Sequence, residues 1–142
     1  LEALQRSGRM SNSDLSEAVN LSPSACHRRV QRLEKEKYIK DYVALLEARK
    51  MGVPTTDFVE ITLQAQADEV LDAFEKAVAR IPDVLECHLM AGSADYLLKV
   101  VAENTEDFAR IHRQYLARLP GVAQMQSSFA LRTVFKTTAL PV

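Results

Sequence analysis

Tryptophan is absent, and the chain holds two cysteines, four glycines, five prolines and only 6% aromatic residues. So few cysteines exclude a small secreted scaffold stapled by disulfides. So little glycine and proline exclude collagen-like and low-complexity chains. No run approaches the roughly 20 apolar residues of a membrane-spanning helix, and no charged start leading into an apolar stretch marks a secretory leader. The formal net charge of −1 excludes a uniformly basic nucleic-acid coat. The first residue is Leu rather than Met, so a stretch preceding Leu1 is expected.

Hydrophobic residues make up 47% of the 142 and charged residues 26%. That is enough apolar material for one ordinary domain or two small ones. The charge is unevenly spread. Leu1 to Lys40 carries eight Lys and Arg against five Asp and Glu, a net +3; the remainder carries ten against fourteen, a net −4. A basic head on an acidic body points to an acidic partner for the head alone. Cys26 and Cys87 form no Cys-x-x-Cys pair, and two reduced, partly buried thiols are expected. His27, His88 and His112 are scattered and show no metal-ligand spacing. No nucleophile elbow, P-loop or dinucleotide fingerprint is present, so enzyme activity finds no support and neither cofactor nor metal is expected.

The head predicts three short helices. Leu1 to about Gly8 is the tail of one, closed by the glycine. Ser11 or Asn12 can cap a second helix with Leu15, Ala18 and Val19 on one face, and Asn20 follows where a left-handed residue would end it. Ser22 caps the third, with Pro23 at its first position. Cys26, Val30 and Leu33 form its inner stripe. Ser24, Arg28, Gln31, Arg32 and Lys35 project from the other side, with Ala25, His27 and Arg29 on the flanks. Tyr38 to Leu46 predicts a strand or extended connector, and Glu47 to Pro54 a linker.

Strands and helices then alternate. Phe58 to Gln64 is a strand with Val59, Ile61 and Leu63 facing inward. Val70, Leu71, Phe74, Ala77, Val78 and Ile81 mark a helix. Val84–Met90 and Asp95–Val101 form a hairpin about Gly92-Ser93-Ala94. Thr105 can cap a helix with Phe108, Ile111, Tyr115 and Leu119 inward, and Ala123 to Phe135 is the last strand. Ile81-Pro82-Asp83-Val84 and Leu119-Pro120-Gly121-Val122 repeat at equivalent helix-to-strand junctions. The order βαββαβ predicts a ferredoxin-like sandwich with both helices on one sheet face. Its bare face would then be covered by a second copy.

A capped helix with Arg28, Arg32 and Lys35 on its outer side can lie in a DNA major groove. Ser22 and Ser24 at its start can add phosphate contacts through hydroxyl and backbone N–H groups. The alternative is an ordinary solvated basic face; the preceding capped helix and short turn favour DNA. In the Gly92 to Tyr96 turn, the glycine lets backbone approach a ligand, and Asp95 can accept from an α-amino group. The alternative there is a plain hairpin turn with a capping carboxylate.

These segments together resemble the leucine-responsive regulatory protein / AsnC family, the feast/famine regulators. The resemblance is carried by Leu4-Gln5-Arg6-Ser7-Gly8-Arg9, Leu15-Ser16-Glu17-Ala18-Val19 and Leu21-Ser22-Pro23-Ser24-Ala25-Cys26. Glu86-Cys87, Gly92-Ser93-Ala94-Asp95-Tyr96-Leu97-Leu98 and Leu119-Pro120-Gly121-Val122 carry it onward. It implies an α+β chain: a winged helix-turn-helix over residues 1–46 with its first helix truncated, a linker over 47–55, and a ferredoxin-like sensing and oligomerisation domain over 56–142. It further implies a cytoplasmic, nucleoid-associated transcriptional regulator that binds double-stranded DNA as a homodimer, assembles to an octamer or similar ring, and answers to an amino-acid effector. DNA would be met by Ser22, Ser24, Ala25, His27, Arg28, Arg29, Gln31, Arg32 and Lys35. The effector would lie against Met90, Ala91, Gly92, Ser93, Asp95 and Tyr96, with Gln126 and Ser128 from a neighbouring subunit. The family often has an acidic residue where this chain has Ser93, and threonines flanking an arginine where it has Gln126-Ser127-Ser128. Two other functions share these features: an architectural DNA-compacting protein that needs no ligand, and an amino-acid-sensing regulatory subunit.

Overall fold

Ser11, Asn20 and Ser22 set the boundaries of the helices in the head. Helix α1 spans Glu2–Arg6, α2 Asn12–Ala18 and α3 Pro23–Lys35. The Ser11 hydroxyl accepts from the Asp14 N–H at 3.1 Å and donates to its carboxylate at 2.7 Å. Asn20 takes φ +54°, and the Leu21 N–H reaches back to the Ser16 carbonyl at 2.9 Å. That left-handed residue with its six-to-one bond closes α2 and turns the chain directly into α3. Lys37 at φ +62° follows the end of α3, where the Ile39 N–H reaches back to the Leu33 carbonyl at 3.2 Å. Leu15 and Cys26 form the buried centre of the head, with Val30 and Leu33 half-buried beside them. Tyr38 to Leu46 is an extended connector that joins no sheet, and the Tyr42 hydroxyl fastens it to Glu34 on α3 at 2.9 Å.

The computed structural model describes Leu1–Val142 throughout, and the chain divides into a head of Leu1–Leu45 with Val134–Val142 and a second unit of Leu46–Thr133. The expected division placed 56–142 together. The last nine residues instead lie with the head, where the Gln5 side chain holds the Leu140 backbone.

The second unit contains strands β1 (Thr55–Leu63), β2 (Val84–Leu89), β3 (Tyr96–Ala102) and β4 (Val122–Phe129), and helices α4 (Asp68–Val78) and α5 (Thr105–Gln114). The sheet order is β2-β3-β1-β4 with every pair antiparallel. Side chains alternate across a strand, so Val59, Ile61 and Leu63 fall on one face with Tyr96, Leu98 and Val100. Phe74 and Val78 of α4 and Phe108 and Ile111 of α5 pack against that same face. Each fully buried side chain of this kind stabilises the fold by about 1.5–3 kcal/mol. Phe58, Glu60, Gln126 and Ser128 share the other face and stay exposed.

Three local expectations need correction. Asn104, not Thr105, caps α5, its side-chain oxygen accepting from the Asp107 N–H at 2.8 Å. Tyr115 is 38% exposed and Leu116 is buried in its place, because α5 ends at Gln114 and a 3-10 turn over Leu116–Arg118 rotates the chain. The last strand stops at Phe129 rather than Phe135: its partner β1 begins at Thr55, and the Ala130 N–H to Thr56 carbonyl bond ends the ladder. The two repeated segments do both lead from a helix into a strand, although Gly121 is left-handed at φ +74° and Asp83 is not. No helix is long and apolar enough to cross a membrane.

Candidate functional site

The outer side of α3 begins with a fixed start. The Ser22 hydroxyl accepts from the Ala25 N–H at 3.3 Å and lies 3.4 Å from the Ser24 hydroxyl. Asn12 of α2 donates to the Pro23 carbonyl at 2.9 Å, which fixes the crossing of the two helices. With Cys26 inward, Ser24, His27, Arg28, Arg29, Gln31, Arg32 and Lys35 are all exposed, as is Ser22; Ala25 is half-buried. Arg28, Arg29 and Lys35 enter no ion pair. Arg32 meets Glu36 at 3.3 Å with both side chains exposed, a pairing of one helical turn worth about 0.3–0.5 kcal/mol. Competition from a phosphate group would displace it readily. Three unpaired cations and one loosely paired cation therefore share one capped helix. Such a surface attracts a polyanion and repels other cations.

The hairpin between β2 and β3 is closed by the Met90 N–H donating to the Asp95 carbonyl at 2.8 Å, and tied to β1 by the Asp95 N–H donating to the Ile61 carbonyl at 2.9 Å. Asp95 also uses its side chain. Oδ2 accepts from the Leu63 N–H at 2.7 Å and Oδ1 from the Gln66 amide at 3.0 Å. The carboxylate thus pins the end of β1 to the turn. Tyr96 points away from the turn surface: it is 1% exposed, stacks on Phe74 at 4.5 Å between ring centroids, and donates its hydroxyl to Glu75 at 2.6 Å. Burial first, then the Glu75 carboxylate, holds that phenol well above its ordinary range. Met90, Ala91, Gly92 and Ser93 are exposed. A Cβ added at Gly92 would meet open space, and its φ lies outside the left-handed region.

Gln126 and Ser128 lie on β4 opposite Glu60 and Phe58, so β1 separates them from β3 and its turn. One chain does not bring these two residues to the turn.

Sequence reasoning singled out none of Glu75, Gln66 or Asp57. Glu75 and Gln66 are ordinary polar residues that tertiary contact alone recruits. Asp57 is fully buried on the core face of β1, and neither carboxylate oxygen has a hydrogen-bond partner. Desolvation pushes its carboxyl up to about 6. A cleft of about 460 Å³ between α4 and β2, lined by Glu75, Val78, Cys87, Leu89 and Tyr96, was likewise not foreseen. Cys87 is exposed at the edge of this cleft, where a partly buried thiol was expected; partial desolvation, then the nearby Glu75 charge, pushes its thiol up to about 11, which keeps it protonated near neutral pH.

Residues 1–40 match the winged helix-turn-helix DNA-binding family, and residues 56–140 match the Lrp/AsnC ligand binding domain family. A helix-turn-helix-type transcriptional regulator of Sinorhizobium fredii is 44% identical over 116 residues, covering 82% of this chain and 91% of its own. The leucine-responsive regulatory protein of Escherichia coli is 37% identical over all 142 residues, covering 87% of its own length. Among solved structures, a transcriptional regulator of Neisseria meningitidis in complex with L-methionine superposes with a TM-score of 0.94 at 35% identity, covering 99% of this chain and 91% of that one.

Proposed function

Because the chain belongs to the Lrp/AsnC family of transcriptional regulators, we propose that α3 reads double-stranded DNA and that the Met90–Asp95 turn receives a free amino acid which changes that binding. The observation that carries the reading is the outer side of α3. Arg28, Arg29 and Lys35 stand there without carboxylate partners, on a helix whose start is capped by Ser22. Guanidinium groups so placed reach phosphates, and within the major groove can bond guanine in pairs. Ser22 and Ser24 at the helix start add neutral donors to the phosphate backbone.

The exposed sheet face with Phe58 and the polar row Glu60, Gln126 and Ser128 supports pairing with a second copy, which would place two α3 helices on paired half-sites. Higher assembly from dimers would bring Gln126 and Ser128 of one chain toward the turn of another. The bare approach at Gly92 fits a ligand that bonds to backbone groups. Asp95, whose two oxygens already serve Leu63 and Gln66, acts by positioning the turn and has remaining lone pairs for an α-ammonium group. The relative bound to L-methionine makes that amino acid the first candidate. Acting on DNA, the protein works in the cytoplasm at the nucleoid.

A ligand alters DNA binding only if it prefers one state of the protein. The test is a fluorescence-anisotropy titration of a duplex selected from random sequence, with and without each free amino acid at millimolar concentration. The expected result is sub-micromolar binding at moderate salt that at least one amino acid, L-methionine first, shifts severalfold. No effect from any of them, together with no calorimetric heat of binding, would contradict the ligand half of the proposal.

A further inference from the structure

The chain passes between its two units twice, at Leu45–Leu46 and again at Thr133–Val134. The second passage leads from the end of β4 back to the head. Along Val134–Val142 no residue joins a helix or strand, and Val134, Phe135, Leu140 and Val142 leave their side chains largely exposed. Apolar burial therefore does not explain why the segment lies with the head. A specific clasp does.

The Gln5 carboxamide on α1 meets the Leu140 peptide in both directions. Its Nε2 donates to the Leu140 carbonyl at 3.0 Å, and the Leu140 N–H donates to Oε1 at 2.6 Å. Two residues of facing antiparallel strands exchange the same pair of bonds; here a side-chain amide stands in for one backbone. Gln and Asn alone carry a donor and an acceptor side by side in this way. The Ala139 N–H donates to the Thr137 hydroxyl at 3.1 Å, which turns the segment just ahead of the clasp.

We infer that Val134–Val142 is a strap tying the head to the end of β4, with Gln5 as its clasp, so that the head is held through two points of the chain rather than one. A head on a single flexible linker samples many orientations; a second tether removes most of them and raises the effective concentration of the second head once the first is bound. The same β4 carries Gln126 and Ser128, so a ligand that shifts this strand also moves the strap. The clasp itself stands apart from any function, but its consequence for DNA rests on the reading proposed above.

The experiment compares the full chain with Gln5→Ala and with Gln5→Glu, which keeps the acceptor and loses the donor. Hydrogen exchange at the Leu140 amide is followed, together with affinity for a selected duplex bearing two half-sites and for the same duplex with one half-site scrambled. The expected result is exchange at Leu140 at least tenfold faster in Gln5→Ala, with the β1–β4 amides unchanged. Paired-site affinity should fall severalfold in both variants while single-site affinity holds within twofold. An unprotected Leu140 amide in the unsubstituted protein would overturn the strap. So would equal loss on both duplexes, or loss on neither. Should the unsubstituted protein bind no DNA at all, the regulator reading fails, and protection at Leu140 decides the clasp alone.

Discussion

Asp57 is the residue whose chemistry most opposes its position. A carboxylate without a partner in a dry core favours its neutral form, so the folded state holds its proton up to about pH 6 while the unfolded chain releases it near 3.8. The folded state then binds more protons than the unfolded one across that window. Stability is fully present below about pH 4 and falls as pH rises toward about 6, by at most about 3 kcal/mol. Asp57→Val should remove this loss: its melting temperature should exceed that of the unsubstituted protein by several degrees at pH 7.5, with the gain shrinking toward pH 4. A gain independent of pH would show that the carboxylate is already satisfied. The alternation Val59, Ile61, Leu63 extends backward to place Asp57 inside, but the expected strand starts at Phe58, since a charge at a core position argues against including it. Asp95 was legible as an acceptor but not as a pin. Asp95→Ala should cost about 1–3 kcal/mol by stranding the Leu63 N–H, measured by urea denaturation, whereas Asp95→Asn keeps an acceptor and should cost less. Equal stability of both variants with the parent would remove the pin.

At the level of elements, punctuation decided more than propensity. The Ser22-Pro23 start and the Asn20 stop of the helix before it were readable because each has a single backbone role. The inner stripe of Cys26, Val30 and Leu33 was readable from helical spacing. The end of α5 was not: the same spacing that placed Phe108 and Ile111 inward continues to Tyr115, and nothing local announces the 3-10 turn that buries Leu116 instead. The end of β4 was equally hidden, since it is set by where β1 begins. Gly121 shows a punctuation mark with two reasons. Its φ is +74°, and an added Cβ would stand 2.9 Å from Val70 on α4. Gly121→Ala should therefore destabilise by roughly 1–3 kcal/mol, whereas Gly92→Ala, with open space around it, should leave the melting temperature within about a degree. If Gly121→Ala melted with the parent, the junction would have more slack than its geometry allows.

At the scale of the whole molecule, the uneven charge was legible from counting alone, as was the order of a three-helix head and a βαββαβ unit. The return of Val134–Val142 to the head was not, because two hydrogen bonds to a single glutamine leave no periodic trace. What the chain does display is a cationic surface on a capped helix, whose affinity for DNA must come largely from phosphates and the counterions they release.

The most direct test is therefore the salt dependence of DNA affinity for the unsubstituted protein and for Arg28→Ala with Arg32→Ala. The double substitution takes two guanidinium groups from each chain. The logarithmic slope should become shallower by about one for each phosphate no longer neutralised, and affinity at low salt should fall at least tenfold. Unchanged slope and affinity would mean that the outer side of α3 does not face DNA.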